Sequence, residues 1–264
     1  MLNDYSCLKS RPGVTLLETV DSTNNYIRRL IDEASSSSGS LTVISDRQTG
    51  GRGRHGRSFY SPEGTGIYIS YAFRAELEDP GLMHVTPYAA AIAHKVLSPF
   101  SGSPLRIKWV NDLYNDSGKT TGILTELITA ASGTWIIVGT GINLLPPHSE
   151  DSSLKNVMGS IIHSIAPSGC PGGLALPTRG EVASLLIDEY DRTWSAGASV
   201  RADLRHIYET NCMSLGKDLE VRPAGSSPYA AHSIGLTSDF ELIVERSQDR
   251  ARLILSSGEV SVSL

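Results

Sequence analysis

The chain reads as an α+β protein in two parts: a mixed β-sheet flanked by helices over residues 1–213, followed by a small all-β domain over residues 214–264. Three observations predict this. Between Val14 and Asn211, stretches with apolar residues at helical spacing are interleaved with stretches whose apolar residues alternate one by one. From Leu215 onward helical spacing stops, and short strand-like runs separated by turn residues take over. The whole, 264 residues with 40% hydrophobic and 19% charged content, suffices for one large core and one small.

In chain order, Val14-Thr15-Leu16-Leu17 opens the first strand, and Asp21-Ser22-Thr23-Asn24 follows, four residues whose side-chain oxygens accept from free N–H groups at a helix start. Tyr26, Ile27, Leu30, Ile31 and Ala34 then share one helical face until the serine run 35–38 and Gly39 end it. Leu41 to Ser45 is a buried strand. From Gly66 to Arg74, Ile67, Ile69, Tyr71 and Phe73 face one way and Tyr68, Ser70 and Ala72 the other, the period of a strand. Thr86-Pro87 supplies a cap and a first helical residue for a helix over Ala89 to Leu97, whose small residues suit close packing.

Leu105, Ile107 and Trp109 alternate again, and a turn at Asn115-Asp116-Ser117-Gly118 joins them to Ile123–Ile128 in an antiparallel hairpin. Trp135 to Val138 is a further strand, running on to Asn143. The polar, proline-bearing stretch 146–177 reads as an irregular surface insertion. Thr178 and Glu181 form a capping box ahead of the apolar stripe Val182, Leu185, Leu186, Tyr190 and Trp194, and Val200 to Asn211 gives another helix. The terminal strands fall near 218–222, 229–236, 240–245, 251–256 and 258–263.

Composition excludes several classes. A net charge of −5 makes the molecule as a whole repel nucleic acid. Cys7, Cys170 and Cys212 are odd in number and far apart, which suits neither a disulfide framework nor a paired-cysteine metal site. No tract is long enough to span a membrane, and the N-terminus lacks the apolar core of a secretory signal, so a cytoplasmic location is expected.

The chemistry centres on Gly50-Gly51-Arg52-Gly53-Arg54-His55-Gly56-Arg57, four glycines and three arginines in eight positions. Glycine permits close backbone approach to a ligand, and arginine offers a planar fork of donors suited to carboxylate or phosphate, so an anionic small molecule is the natural partner. The spacing is neither that of a P-loop nor of a dinucleotide fingerprint. Other strand ends carry polar residues too: Gln48, Asn111 and Asp112, Lys119 in the hairpin, and Asn143.

These residues fall into seven motifs that resemble, in order, the biotin protein ligase family. They are Asp21-Ser-Thr-Asn24, Gln48 to Arg57, Ser61-Pro-Glu-Gly64, Lys108-Trp-Val-Asn-Asp112, Lys119-Thr-Thr-Gly-Ile-Leu-Thr-Glu126, Gly139-Thr-Gly-Ile-Asn143 and Gly258-Glu-Val260. The resemblance covers residues 14–145 tightly and the terminal domain loosely. It implies a class II synthetase-like catalytic domain with an SH3-like β-barrel after it. It also implies a two-step reaction: biotin and MgATP give biotinyl-5′-AMP and pyrophosphate, and biotin then passes to a lysine of a biotin carboxyl carrier domain.

The resemblance places Ser22, Thr23 and Asn24 at the ureido ring of biotin and gives Gln48 a ligand hydrogen bond. Gly51, Arg52, Gly53 and Arg54 become the loop around biotin and the adenylate phosphate. Lys119 is set between the biotin carboxylate and the α-phosphate, with Arg54 and Asp112 as its catalytic companions. Asp112 would orient a cation or hold Mg2+; Arg57, Phe59, Asn111 and Asn143 would serve the nucleotide. The glycine loop would order and close over the adenylate. The sequence departs from the family at Val110, where proline is usual; at Phe59, where tryptophan is often found; and at Phe240, where a turn glycine is common. About 13 residues precede the first strand, too few for a winged-helix DNA-binding domain, so no DNA partner is expected; no membrane partner is expected either, and the molecule would be a monomer or homodimer. Two other readings compete: a lipoate ligase or octanoyltransferase of related fold, and a nucleic-acid module using Arg52, Arg54 and Arg57.

Overall fold

The computed structural model describes residues 2–33, 39–146, 158–162, 177–196, 198–223, 225–256 and 259–262. After a short 3-10 segment at Leu2–Leu8, the first part runs β1 (Val14–Val20), α1 (Thr23–Glu33), β2 (Leu41–Gln48), β3 (Gly66–Arg74), α2 (Val85–Leu97), β4 (Arg106–Lys108), β5 (Asp112–Asn115), β6 (Gly118–Ala130), β7 (Gly133–Asn143), α3 (Arg179–Ala196) and α4 (Ala198–Asn211). Its seven strands form one sheet in the order β1-β2-β3-β7-β6-β5-β4. The pair β1 and β2, joined through α1, is parallel, and every other pairing is antiparallel. The sheet is mixed, as the sequence predicts.

Strand alternation decides which face each helix covers. Ile27 and Ile31 of α1 pack on Val43, Ala72, Trp135 and Ile137, one face of the sheet. The alternate residues Ile44, Ile69, Tyr71, Phe73, Ile136 and Val138 face the main core beneath α2, α3 and α4. There Tyr71 stacks on Tyr190 at 5.0 Å and Phe73 on Trp194 at 4.5 Å between ring centroids, so the stripe read on α3 lands on the odd-numbered face of β3. The capping box holds: the Thr178 N–H donates to Glu181 Oε2 at 2.7 Å, and the Glu181 N–H returns a bond to Thr178 Oγ1 at 3.2 Å.

Three expectations need correction. The strand read through Trp109 ends at Lys108, and a turn at Trp109-Val110-Asn111 leads into β5, so the expected hairpin is a three-stranded meander. The reason lies in tertiary contacts, because the Trp109 indole is buried and donates to the carbonyl of Phe240 in the terminal domain. The Trp109–Val110 peptide is cis. Helix α2 begins at Val85 with His84 at its cap, because a 3-10 turn at Pro80–His84 feeds directly into it. Thr86 bonds to Thr125 instead of capping, with 2.5 Å between the hydroxyl oxygens. Within the stretch read as a surface insertion, residues 158–162 are inside: Ser160, Ile161 and Ile162 are buried, and Gly159 and Ile161 donate to the carbonyls of Lys119 and Asn143. The rest of that stretch, together with the expectations for Ala34, residues 35–38 and Gly258, lies outside the described residues.

The second part comprises β8 (Asp218–Arg222), β9 (Tyr229–Leu236), β10 (Leu242–Arg246), β11 (Arg252–Leu255) and β12 (Glu259–Val262), an antiparallel sheet in the order β11-β10-β9-β8-β12. Phe240, in the turn before β10, has φ 60°, the left-handed region that explains why a glycine is common there. It is tolerated because its ring is buried against Tyr88, Tyr208 and His84 of the first part. Among the described residues no helix is long and apolar enough to cross a membrane.

Candidate active site

One cleft collects most of the residues that the sequence singles out. It opens to solvent and lies over the middle of the sheet where α1 begins. Ser22, Thr23, Asn24 and Gln48 line one end; Arg54, Asn111, Asp112 and Lys119 line the other; Arg52, Gly53 and Phe59 lie between. The two ends differ in chemistry.

The first end is lined by polar, uncharged side chains. Thr23 and Asn24 start α1, so their side chains face back across β2 and β3. Gln48 Oε1 accepts from the Thr23 N–H at 2.9 Å and its hydroxyl at 3.1 Å, and Gln48 Nε2 donates to Ser61 Oγ at 2.9 Å. Ser70 donates to Asn24 Oδ1 at 2.6 Å, and Asn24 Nδ2 donates to Glu126 at 2.8 Å. Buried hydroxyls and amides thus form one connected network at the base of the cleft.

The second end is cationic. Lys119 enters on β6 and its Nζ sits 2.7 Å from Asp112 Oδ2 on the neighbouring β5. Arg54 reaches in from the glycine loop, and its Nη1 donates to Asn111 Oδ1 at 3.0 Å. Asn111 is fixed by donating to the Ile123 carbonyl at 2.9 Å and to Asp112 Oδ1 at 3.1 Å. No carboxylate among the described residues pairs with Arg54, so a neutral amide holds it and its charge faces the cleft. Arg52 is different: Glu126, shared with Arg28, takes its guanidinium at 3.1 Å, and Asn25 accepts from it at 2.9 Å.

The glycine loop folds on itself above the cleft. The Phe59 N–H donates to the Gly51 carbonyl at 2.8 Å and the Gly53 N–H to the Arg57 carbonyl at 2.7 Å, with a left-handed turn at His55 and Gly56. A Cβ on Gly51 would lie 2.3 Å from the Phe59 carbonyl, so this position admits no side chain. The Phe59 ring lies against the sheet: a Cβ on Gly141 would come 2.6 Å from it, and one on Gly122 3.2 Å.

Not every expected residue lines the cleft. Gly51 supports the loop from below. Arg57 is exposed, and its backbone carbonyl closes the loop turn. Asn143 is buried and donates to the Lys119 carbonyl at 3.2 Å, so it holds the lysine's backbone. Asp112 engages Lys119 with one oxygen and Asn111 with the other, and the described residues contain no group of three or more acidic, histidine or cysteine side chains that would hold a metal ion. Asp112 is the one carboxylate among the residues lining the cleft, so a magnesium ion here would rest on it together with the phosphates of a bound nucleotide.

Several residues acquire a place that sequence reasoning did not give them. Ser70 anchors Asn24, Glu126 balances Arg52, and Ser61 passes the Gln48 bond on to the Phe59 carbonyl. A Cβ on Gly139 would sit 2.2 Å from Asn24 Oδ1, so this glycine makes room for the amide. For Ser70 and Gly139 the signal was a polar or glycine residue on an otherwise apolar strand, most visible at Ser70 between Ile69 and Tyr71.

Comparison with known proteins agrees with this geometry. Residues 16–143 match the model of the Biotin/lipoate A/B protein ligase family. The chain is similar to the bifunctional ligase/repressor BirA of Escherichia coli, 35% identical over 156 residues that make up 58% of this chain and 47% of that protein. It is also similar to the biotin–[acetyl-CoA-carboxylase] ligase of Mycobacterium tuberculosis, 24% identical over 223 residues, covering 83% of this chain and 74% of that one. The chain thus spans about half the length of the BirA proteins of E. coli and Salmonella typhimurium, at 47% and 44%. In fold it is similar to the biotin protein ligase of Aquifex aeolicus in complex with biotin and ATP, with a TM-score of 0.65 and 23% identity over 96% of this chain and 99% of that one. The sheet flanked by helices and the small antiparallel domain after it are that fold. Residues 16–143, which include every residue lining the cleft, thus match a domain of the Biotin/lipoate A/B protein ligase family.

Proposed function

We propose that the chain is a biotin protein ligase, which joins biotin to ATP as biotinyl-5′-AMP and then transfers biotin to a lysine of a biotin carboxyl carrier domain. The observation that carries this reading is the convergence of Arg54 and Lys119 on one end of a cleft whose other end is neutral and rich in paired hydroxyls and amides.

Biotin has two such ends itself. Its ureido ring presents one carbonyl acceptor and two N–H donors, and the Thr23, Gln48 and Ser22 end can exchange its internal bonds for these without leaving a buried group unpaired. Its carboxylate would then lie toward Lys119 and Arg54. Attack of that carboxylate on the α-phosphate brings two anions together and loads charge onto the phosphate oxygens, so fixed cations are needed more than a base. Lys119, paired with Asp112, would serve both anions, and Arg54 the phosphate. Magnesium enters with the triphosphate as part of the substrate.

Phe59 would give the nucleotide base an aromatic surface, in the place where the family often has tryptophan. The glycine loop would close on the adenylate and keep water from the mixed anhydride until the acceptor amine arrives. The second step needs the amine neutral and the adenylate retained. Attack on the acyl carbon then releases AMP.

Biotin-dependent exchange between pyrophosphate and ATP tests the first step, and the mass of a carrier domain incubated with the protein, biotin and ATP tests the second. Exchange with biotin, none with lipoate or octanoate, and a carrier heavier by one biotinyl group are the expected results. Exchange that follows lipoate or octanoate instead would move the chain to another branch of its family.

A further inference from the structure

The turn at Trp109-Val110-Asn111 has two sides, and only one faces the cleft. On the far side, Trp109 Nε1 donates to the Phe240 carbonyl at 2.8 Å, the Trp109 N–H donates to Ser214 Oγ at 3.1 Å, and Tyr208 donates to the Val110 carbonyl at 3.2 Å. On the near side, Asn111 accepts from Arg54 and donates to Asp112, the partner of Lys119. Four consecutive residues therefore connect a carbonyl of the terminal β domain with both cations.

We propose that Trp109 is a positioning residue for adenylate formation, through which the terminal β domain sets Arg54 and Lys119. Trp109 is buried and does not line the cleft, so it reaches no substrate and acts only through its neighbours. Its acceptor is rigid. Arg205 donates to the Thr237 and Ser238 carbonyls at 2.9 and 2.6 Å and stands 4.6 Å over the Phe240 ring. The Phe240 ring is packed on three sides by His84, Tyr88 and Tyr208, and His84 meets Asp239 at 3.2 Å. Among the described residues, the Arg54 guanidinium by contrast has one hydrogen-bond partner, the neutral amide of Asn111, so any slack in Asn111 passes directly to it.

This inference rests on the biotin-activating reading above, and the experiment separates the two. Trp109→Phe keeps an aromatic ring and deletes the donor. Biotin-dependent pyrophosphate exchange should lose about tenfold in kcat, the size of one lost hydrogen bond, with a smaller change in the KM for biotin because the end of the cleft that would take the ureido ring is not bonded to this turn. Combined with Asn111→Ala, the substitution should cause no further loss, because both act on one connection. Tyr208→Phe, which also keeps its ring, should reduce kcat in the same direction and serves if Trp109→Phe does not fold. Hydrogen exchange on the protein without substrates gives a readout apart from activity: the Ile123 amide, bonded to the Asn111 carbonyl at 3.0 Å, and the amides of 53–57 should exchange faster in Trp109→Phe. Unchanged kcat and unchanged exchange protection in the single variant, or losses that multiply in the double variant, would overturn the proposal. Absence of biotin-dependent turnover in the unsubstituted protein would refute the functional reading, with the tether then judged by hydrogen exchange alone.

Discussion

Lys119 Nζ stands 2.7 Å from Asp112 Oδ2, with the two residues on adjacent strands and one register shift apart. The carboxylate fixes where the ammonium points without sealing it from the cleft, which both line. A lysine in a hairpin is usually free to wander in solvent; this one is aimed.

Asp112→Asn should therefore leave the fold intact and slow adenylate formation by roughly 10- to 100-fold, the penalty for a catalytic group that is present but misplaced. Burst kinetics of biotinyl-5′-AMP formation measure this. A rate within twofold of the unsubstituted protein would show that Lys119 needs no such partner.

Arg54→Gly should release the adenylate early, because the cation that faces the phosphate end of the cleft is lost while the neutral end is untouched. Mass spectrometry of an unrelated lysine-rich protein incubated with the variant, biotin and ATP should show scattered biotinylation. Labelling confined to the carrier domain would mean that other groups retain the intermediate.

Gly139→Ala should weaken biotin binding more than tenfold and destabilise the protein by about 1–3 kcal/mol, since the new methyl would lie 2.2 Å from Asn24 Oδ1 and force that amide out of its network. Gly235→Ala, with nothing within 4 Å of its Cβ, is the control and should change neither. Biotin titration calorimetry and thermal melts of both variants decide the point.

Acid should unfold the protein partly through Asp46. Burial works against its ionised form, but the Arg179 guanidinium and the Gly64 N–H hold its carboxyl below the ordinary value of 3.8. In the range between the two values the folded state carries fewer protons than the unfolded chain. The stabilisation is therefore complete above about pH 4 and is lost as pH falls through the folded value. Asp46→Asn removes one partner of a buried arginine that Asp4 still contacts, so it should cost about 3 kcal/mol at neutral pH and flatten the acid limb of the stability profile. Urea unfolding at pH 7 and pH 3 reads both effects.

Much of this site was legible because its residues sit at strand ends and in one glycine-rich loop, where polar side chains need a reason to be. Ser22, Thr23 and Asn24 announced a helix start, and all three line the cleft. Sequence periodicity failed at Trp109, where the apolar alternation of Leu105 and Ile107 continues but the chain turns. What ends the strand is a hydrogen bond to a carbonyl 131 residues away, and no local pattern encodes it. Residues 158–162 were misread for a related cause: a polar, proline-bearing context hid a short segment that Lys119 and Asn143 bind through their carbonyls. Asn143 was found as a site residue, yet its amide supports the backbone of Lys119 and does not line the cleft, a distinction that spacing cannot make.

The claim on which the account turns is that Lys119 supplies the positive charge shared by the two reacting anions. Single-turnover formation of biotinyl-5′-AMP by Lys119→Ala, with circular dichroism to verify the fold, measures it most directly. The account expects a rate reduced at least about 100-fold, the scale of losing one preorganised charge at a transition state; adenylate formed within threefold of the unsubstituted rate would contradict it.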